Sequence, residues 1–324
     1  MTSILQTQLP HTIEYLPVIT GAQKISGKVR ESYQSDTTRA MVVTDRISAF
    51  DFILGTVPFK GQVLNQIAAW WFAQLDGVVP HHLISTPHAN ISVVKKAEVL
   101  PVEVVVRSYL TGSTKTSSWY AYNNLDRMIC GLEMPVGMKK NQKFLAPIIT
   151  PTTKPKAGSG EHDVPVTRDQ IINGMVDEAL YAQVEDYALK MFALGQKKAA
   201  ERGLILVDTK YEFGLDSEGK LMVIDEVHTP DSSRYWIADT YQERMKNGEE
   251  PDMLDKEFIR RMVVANGYDV NNDDQNPADF FTEELRVVAA EKYLDLYERM
   301  TGEKISLQAY KVDAIGTALE AVFS

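Results

Sequence analysis

The sequence predicts an α+β chain, with antiparallel strands early and helices late. Three observations carry this. Short apolar runs broken by Gly, Pro and charged residues fill the stretch before residue 110. Residues 201–236 hold two further apolar runs, Leu204, Ile205, Leu206, Val207 and Leu221, Met222, Val223, Ile224. Gly214, Asp216, Ser217 and Gly219 supply turn chemistry between them, so the pair reads as a hairpin. After Trp236 the composition turns helical and solvated, with candidate helices at 256–266, 280–297 and 306–322.

The length of 324 residues is enough for a large core and favours two lobes over one. A formal charge of −10 argues against nucleic-acid binding, which normally shows a basic footprint. A local Arg/Lys pocket for a small anion remains compatible with it. Cys130 is the only cysteine, so no internal disulfide and no cysteine-rich metal site can form, and a reducing cytoplasmic location is expected. The first residues lack the basic flank and apolar core of a secretory signal, and no apolar run is long enough for a bilayer.

Residues 2–16 read as a loosely attached arm or short helix, and 19–46 as a small antiparallel unit. Its first turn contains Gly27, Lys28 and Arg30. Gly27 permits close backbone approach, and the two cations alternate, as in a loop that covers phosphates. The P-loop pattern is absent, and an ordinary surface turn is the competing reading. Residues 39–45 form a buried strand. Residues 46–51 mix polar functions without a helical stripe and read as a functional loop. Val63, Leu64, Ile67, Ala68 and Trp71 mark an amphipathic helix over 61–72. His81, His82 and His88 lack metal-site spacing and are expected in loops or at boundaries.

Strands are expected at 91–94 and 99–106, the second ending at Arg107, then Ser108, Thr111, Gly112 and Ser113. An arginine at a strand end followed by hydroxyls suits a carboxylate or phosphate, and a turn tied down by Arg107 fits equally. Residues 114–168 are the least regular, with an extended piece at 147–154. Such an insert reads as a lid or binding loop that could bring Thr153, Lys154, Glu161, His162 and Asp163 to a ligand. Thr167 or Asp169 can cap the next helix. Val184, Tyr187, Ala188, Met191, Phe192 and Leu194 carry an apolar face towards the hairpin, which Gly203 precedes.

The hairpin holds an unusual load of charge. Asp208, Lys210 and Glu212 alternate on one face of an extended segment, and Asp225, Glu226, Asp231 and Arg234 follow the second run. Carboxylates delivered by two adjacent strands can seat a hard cation such as Mg²⁺. A solvated polar face is the alternative, but it leaves Lys210 and Arg234 among the acids unexplained.

Five segments in order, GKVRESY at 27–33, TDRISAFD at 44–51, PVEVVVRSYLTGS at 101–113, VDTKYEFG at 207–214 and DEVHTPDSSRYW at 225–236, resemble those of the phosphoribosylaminoimidazole-succinocarboxamide synthases, or SAICAR synthetases. The resemblance covers nearly the whole chain, and the middle insert is similar to that of the long single-chain form. Glu31 stands where shorter relatives often have aspartate, and His228 and Thr229 precede Pro230 where they often carry serine or threonine.

The resemblance implies a small antiparallel N-terminal lobe (1–106), an ATP-grasp-like lobe with a long insert (107–240) and a helical C-terminal portion (241–324). It implies ATP-dependent ligation of L-aspartate to carboxyaminoimidazole ribonucleotide in purine synthesis, with ATP and Mg²⁺, through an acyl phosphate and without an enzyme nucleophile. The implied roles are Gly27, Lys28, Arg30 and Glu212 for ATP, and Glu212 and Asp225 for Mg²⁺. Arg107, Ser113, Asp208, Lys210, Asp231 and Arg234 would bind the nucleotide substrate, with Lys210, Asp208 and Arg234 at the reacting centre. The TDRISAFD loop and the insert would receive aspartate. A cytoplasmic monomer is expected, with no nucleic-acid or membrane partner. Another ATP-dependent kinase or ligase, or an ATP-binding protein without turnover, are the competing classes.

Overall fold

The computed structural model describes residues 2–114, 117–154, 163–309 and 312–324. The chain opens with α1 (Thr2–Gln8), which buries Leu5 completely. β1 (Gln23–Ser26), β2 (Arg30–Gln34) and β3 (Arg39–Val43) then form the expected antiparallel unit.

Residues 46–51 depart from the loop reading. They belong to a hairpin of β4 (Arg46–Ala49) and β5 (Phe52–Thr56), whose turn holds Phe50 and Asp51 at φ 54° and 65°. Arg46, and Asp45 just before it, are buried struts, whereas Asp51 at the turn stays exposed. Asp45 accepts the backbone N–H groups of Ile13 and Gly61, each at 2.8 Å. Arg46 donates to the carbonyls of Gly27 at 2.9 Å and Lys28 at 3.0 Å, and pairs with Glu31 at 2.7 Å. Polar groups satisfied in this way can be buried without the cost that an unpaired group carries.

Helix α2 (Lys60–Leu75) matches the expected amphipathic segment and buries Val63, Leu64, Ile67 and Trp71. β6 (Leu83–His88) and β7 (Ile91–Val94) complete a first sheet of order β1-β2-β3-β7-β6. β6 was not foreseen because it is an edge strand with little apolar content and a proline.

β8 (Glu98–Leu110) lies entirely in a second sheet. The expected boundary at 106/107 therefore falls inside one strand, and the chain changes sheet within 95–97. The irregular region contributes α3 (Ser118–Asn123), β9 (Met128–Ile129), β10 (Leu132–Glu133), β11 (Gln142–Ile149) and β12 (Thr152–Thr153). β11 and β12 both pair with β8. Glu161 and His162 lie outside the described residues. A capping box between Thr167 and Gln170 starts α4 (Arg168–Ile172), and Asp177 caps α5 (Glu178–Ala200).

The hairpin is β13 (Leu204–Leu215) and β14 (Leu221–Ile224). β13 continues straight through the charged alternation, with Gly214 inside the strand and the turn confined to 216–220. One edge of β13 carries β8. The other carries β14 towards its end and β15 (Ser233–Ile237) towards its start, with the segment 225–232 between them. Helices α6 (Ala238–Asn247), α7 (Lys256–Ala265), α8 (Glu283–Thr301) and α9 (Val312–Phe323) form the expected helical end. α5 covers β8 and β13, while α8 packs on α1 and α2. One contiguous core links both sheets through these helices. No helix among the described residues is long and apolar enough to cross a membrane.

Candidate active site

Two cavities meet at the charged face of β13. The first is about 480 Å³ and lies between the sheets. It is lined by Gly27, Lys28 and Arg30 from the β1–β2 turn, Glu103, Lys154, Lys210 and Glu212 from the second sheet, and Asp225 and Glu226 beyond β14. The second is about 150 Å³ and is lined by Arg107, Asp208, Lys210, Asp231, Arg234 and the start of α7. Lys210 lines both.

Register explains the second cavity. Asp208 on β13 sits opposite Arg107 on β8 and opposite Arg234 on β15. Its Oδ2 accepts from Arg234 Nη1 at 2.5 Å and from Arg107 Nη1 at 3.2 Å. Thr150 accepts from Arg107 Nε at 2.7 Å and fixes the guanidinium plane. Two arginines therefore face one small cavity with their geometry set by three neighbouring strands. Ser113 donates at 2.5 Å to Glu257, which lines this cavity. Asp231 is held by Lys60 Nζ at 2.9 Å and by the Tyr293 hydroxyl at 2.8 Å. Burial opposes its ionisation, yet Lys60 and Lys256 keep it well below the usual carboxylate range.

The first cavity is acidic and basic at once. Glu103 and Glu212 are directly opposite in register, an arrangement that repels unless cations intervene. Lys210 Nζ bridges them at 2.8 and 2.7 Å, and Lys154 does so at 3.2 and 2.5 Å. Burial raises the Glu103 carboxyl against the pull of Lys210. At Glu212 burial is overridden by Lys210 and Lys154, which hold it well below the usual range. Burial pushes Asp225 up to about 6 despite Arg30. Arg30 makes short ion pairs with both Asp225 and Glu226.

The Gly27 turn closes with a 2.8 Å bond from the Gly27 N–H to the Arg30 carbonyl, and an added Cβ would meet that oxygen at 3.2 Å. Lys28 reaches over the opening and pairs with Asp51 at 2.9 Å, both side chains exposed. Its counterpart in the TDRISAFD segment is thus Asp51, while Arg46 of the same segment carries the turn from beneath.

The structure brings Gly27, Lys28, Arg30, Glu212 and Asp225 to one cavity and Arg107, Asp208, Asp231 and Arg234 to the other. Ser113 lines neither, and of the insert residues Lys154 lines the first cavity while Thr153 and Asp163 line neither. Sequence reasoning missed Glu103, Lys60, Lys256, Arg260 and Tyr293. Lys256 and Arg260 come from the α7 start, where Asp255 caps the helix through the Glu257 N–H at 2.8 Å. An N-cap aspartate followed by Lys and Arg on one helical face was the available signal. Burial pushes the Lys256 amine down to about 8, with Asp231 offsetting part of it.

The oxygen-only donors Glu212 and Asp225 fit a hard divalent ion. Among the described residues no three His, Cys, Asp or Glu side chains form a ready-made cage. Mg²⁺ bound to a polyphosphate commonly takes only one or two protein carboxylates, so this donor set is of the right kind.

The family model described as SAICAR synthetase matches residues 23–277. A phosphoribosylaminoimidazole-succinocarboxamide synthase of Legionella pneumophila (strain Paris) is 46% identical over 282 residues, covering 87% of this chain and 88% of the relative. A chloroplastic synthase of that name from Vigna aconitifolia is 50% identical over 256 residues, covering 79% and 72%. The solved SAICAR synthase of Saccharomyces cerevisiae, complexed with SAICAR, superposes with a TM-score of 0.75 at 32% identity, covering 91% of this chain and all of the other.

Proposed function

The chain belongs to the SAICAR synthetase family, and on that premise we propose that it joins L-aspartate to the carboxylate of carboxyaminoimidazole ribonucleotide, converting ATP to ADP and phosphate. The observation that supports this reading most is the meeting of two anion-suited cavities at one lysine, Lys210. One cavity has the volume and the glycine turn for a nucleoside triphosphate. The other has the paired arginines for a phosphorylated nucleotide.

A carboxylate is a poor electrophile, because an amine cannot expel oxide from it. Its oxygen attacks the γ-phosphorus, ADP departs, and the resulting acyl phosphate offers phosphate as the leaving group. The aspartate amine then attacks the acyl carbon, loses a proton and forms the amide. The protein's part is alignment, charge neutralisation and exclusion of water. Gly27, Lys28 and Arg30 cover the triphosphate. Glu212 and Asp225 would hold Mg²⁺, which supplies positive charge to the phosphate oxygens. Arg107, Asp231 and Arg234 hold the nucleotide substrate, and Ser113 acts beside them through Glu257. Asp208 orients both arginines and the imidazole, and Lys210 faces the carboxylate that receives the phosphoryl group. Cys130 is outside both cavities, consistent with chemistry that needs no covalent enzyme intermediate.

We keep the three-part organisation, with the first boundary moved to the change of sheet at 95–97, and read the protein as a cytoplasmic monomer. Sedimentation of the purified chain tests the last point. The function is tested by incubating it with ATP, Mg²⁺, L-aspartate and the imidazole ribonucleotide and detecting the succinyl amide by mass spectrometry. A folded protein that yields no product overturns the reading. Heavy oxygen placed in the substrate carboxylate should appear in the released phosphate if the acyl phosphate forms.

A further inference from the structure

Resting on that reading, we propose that His228 is a positioning residue that sets the two carboxylates on either side of it, Asp225 towards the triphosphate cavity and Asp231 towards the nucleotide cavity. His228 lines neither cavity, so its action passes through its neighbours. It is the midpoint of the segment 225–232 that fills the gap on the β13 edge between β14 and β15.

Its ring is fully buried. Nε2 shares a short hydrogen bond with the Tyr211 hydroxyl. The Trp71 ring meets it edge-on at 4.5 Å, and the Tyr235 hydroxyl donates to the His228 carbonyl at 2.7 Å. Gly195 of α5 presses close enough that an added Cβ would come within 2.9 Å of Nδ1. Elements α2, α5 and β13 therefore converge on one side chain, and β15 holds its backbone carbonyl.

Two features turn this anchor into a positioning device. Tyr211 lies between Lys210 and Glu212, so the residue that pins His228 belongs to the same strand as these site residues. Any slip of the segment along β13 would shift Asp225 relative to Glu212. Asp225 and His228 also hold left-handed backbone, at φ 70° and 53°. Residues with a Cβ adopt that region only where their surroundings over-determine it. The buried ring, gripped from three elements, and the carbonyl held by Tyr235 supply that determination.

The test compares His228→Leu, His228→Gln and Tyr211→Phe by steady-state kinetics, well below each melting temperature. His228→Leu and Tyr211→Phe should each raise the Mg²⁺·ATP half-saturation and the KM for the imidazole nucleotide by about three- to tenfold, the span of one lost buried hydrogen bond. His228→Gln, which keeps a hydrogen-bonding group, should recover most of the loss. The double variant His228→Leu/Tyr211→Phe should be no worse than His228→Leu, since both lose the same bond. A lowered melting temperature with both constants unchanged would overturn the proposal and leave a packing role. Tyr211→Phe removes a single oxygen, so it keeps the comparison available if His228→Leu does not fold. Wild-type protein that makes no amide would instead overturn the functional reading itself.

Discussion

Asp208 and Arg234 are register neighbours on β13 and β15, and the carboxylate accepts from the guanidinium at 2.5 Å. The same oxygen accepts from Arg107 at 3.2 Å, so one acid orients two cations. Asp208→Asn removes the charge and keeps the volume. The KM for the imidazole nucleotide should rise about tenfold or more, with the constants for ATP little changed. Equal losses for both substrates would place Asp208 elsewhere in the mechanism.

Glu212→Gln should lower turnover by on the order of a hundredfold and raise the Mg²⁺ concentration needed for half-maximal rate. The fold should persist, because Glu103 still partners Lys210 and Lys154. Mg²⁺ titration of the purified variant is the check, and wild-type metal dependence would remove Glu212 from the metal site.

Lys210→Met should reduce amide formation by at least about a hundredfold, since Lys210 lines both cavities and is proposed to face the reacting carboxylate. Lys96→Ala is the control. Lys96 donates to the carbonyls of Ser35 and Asp36, each at 3.0 Å, on an exposed turn, and its removal should leave kcat/KM within about twofold. Comparable losses in both variants would mean that general charge matters rather than position.

Burial pushes the Asp255 carboxyl up to about 7, against the backbone donors of Tyr235 and Glu257. The folded state therefore keeps a proton that the unfolded chain, ionising near 4, has already released. The contribution of this group to stability is greatest below about pH 4, declines between about pH 4 and 7, and is flat above. Thermal unfolding across that window should show a smaller decline in Asp255→Asn than in the wild type. An unchanged pH slope would show that Asp255 ionises normally in the folded protein.

The β13–β14 hairpin was legible because its pattern is local. Apolar runs, turn residues and the alternation of Asp208, Lys210 and Glu212 all sit within a few residues of each other. The helices were legible for the same reason, through apolar periodicity and a cap at Thr167, whereas the Asp177 cap of α5 emerged only in the structure. Residues 46–51 were misread because their polarity is satisfied by partners far along the chain. Arg46 pairs with Glu31 and with the Gly27 turn, and no local rule announces that. Nothing local marks Lys60, which lies just outside the expected helix, yet it is fully buried against Asp231, 171 residues away.

The sequence by itself determined the strand and helix periods, the acidic face of β13, and five ordered motifs specific enough to name a family. Only the tertiary structure decided which charges meet. Strand register places Asp208 between Arg107, 101 residues away, and Arg234, and places Glu103 against Glu212 with Lys210 and Lys154 between them. It also divides the charged face into two cavities that share Lys210. The physical reason is that backbone preference and apolar alternation act between near neighbours, whereas the partner of a buried charge is chosen by whatever the folded sheets bring within a few ångströms of it.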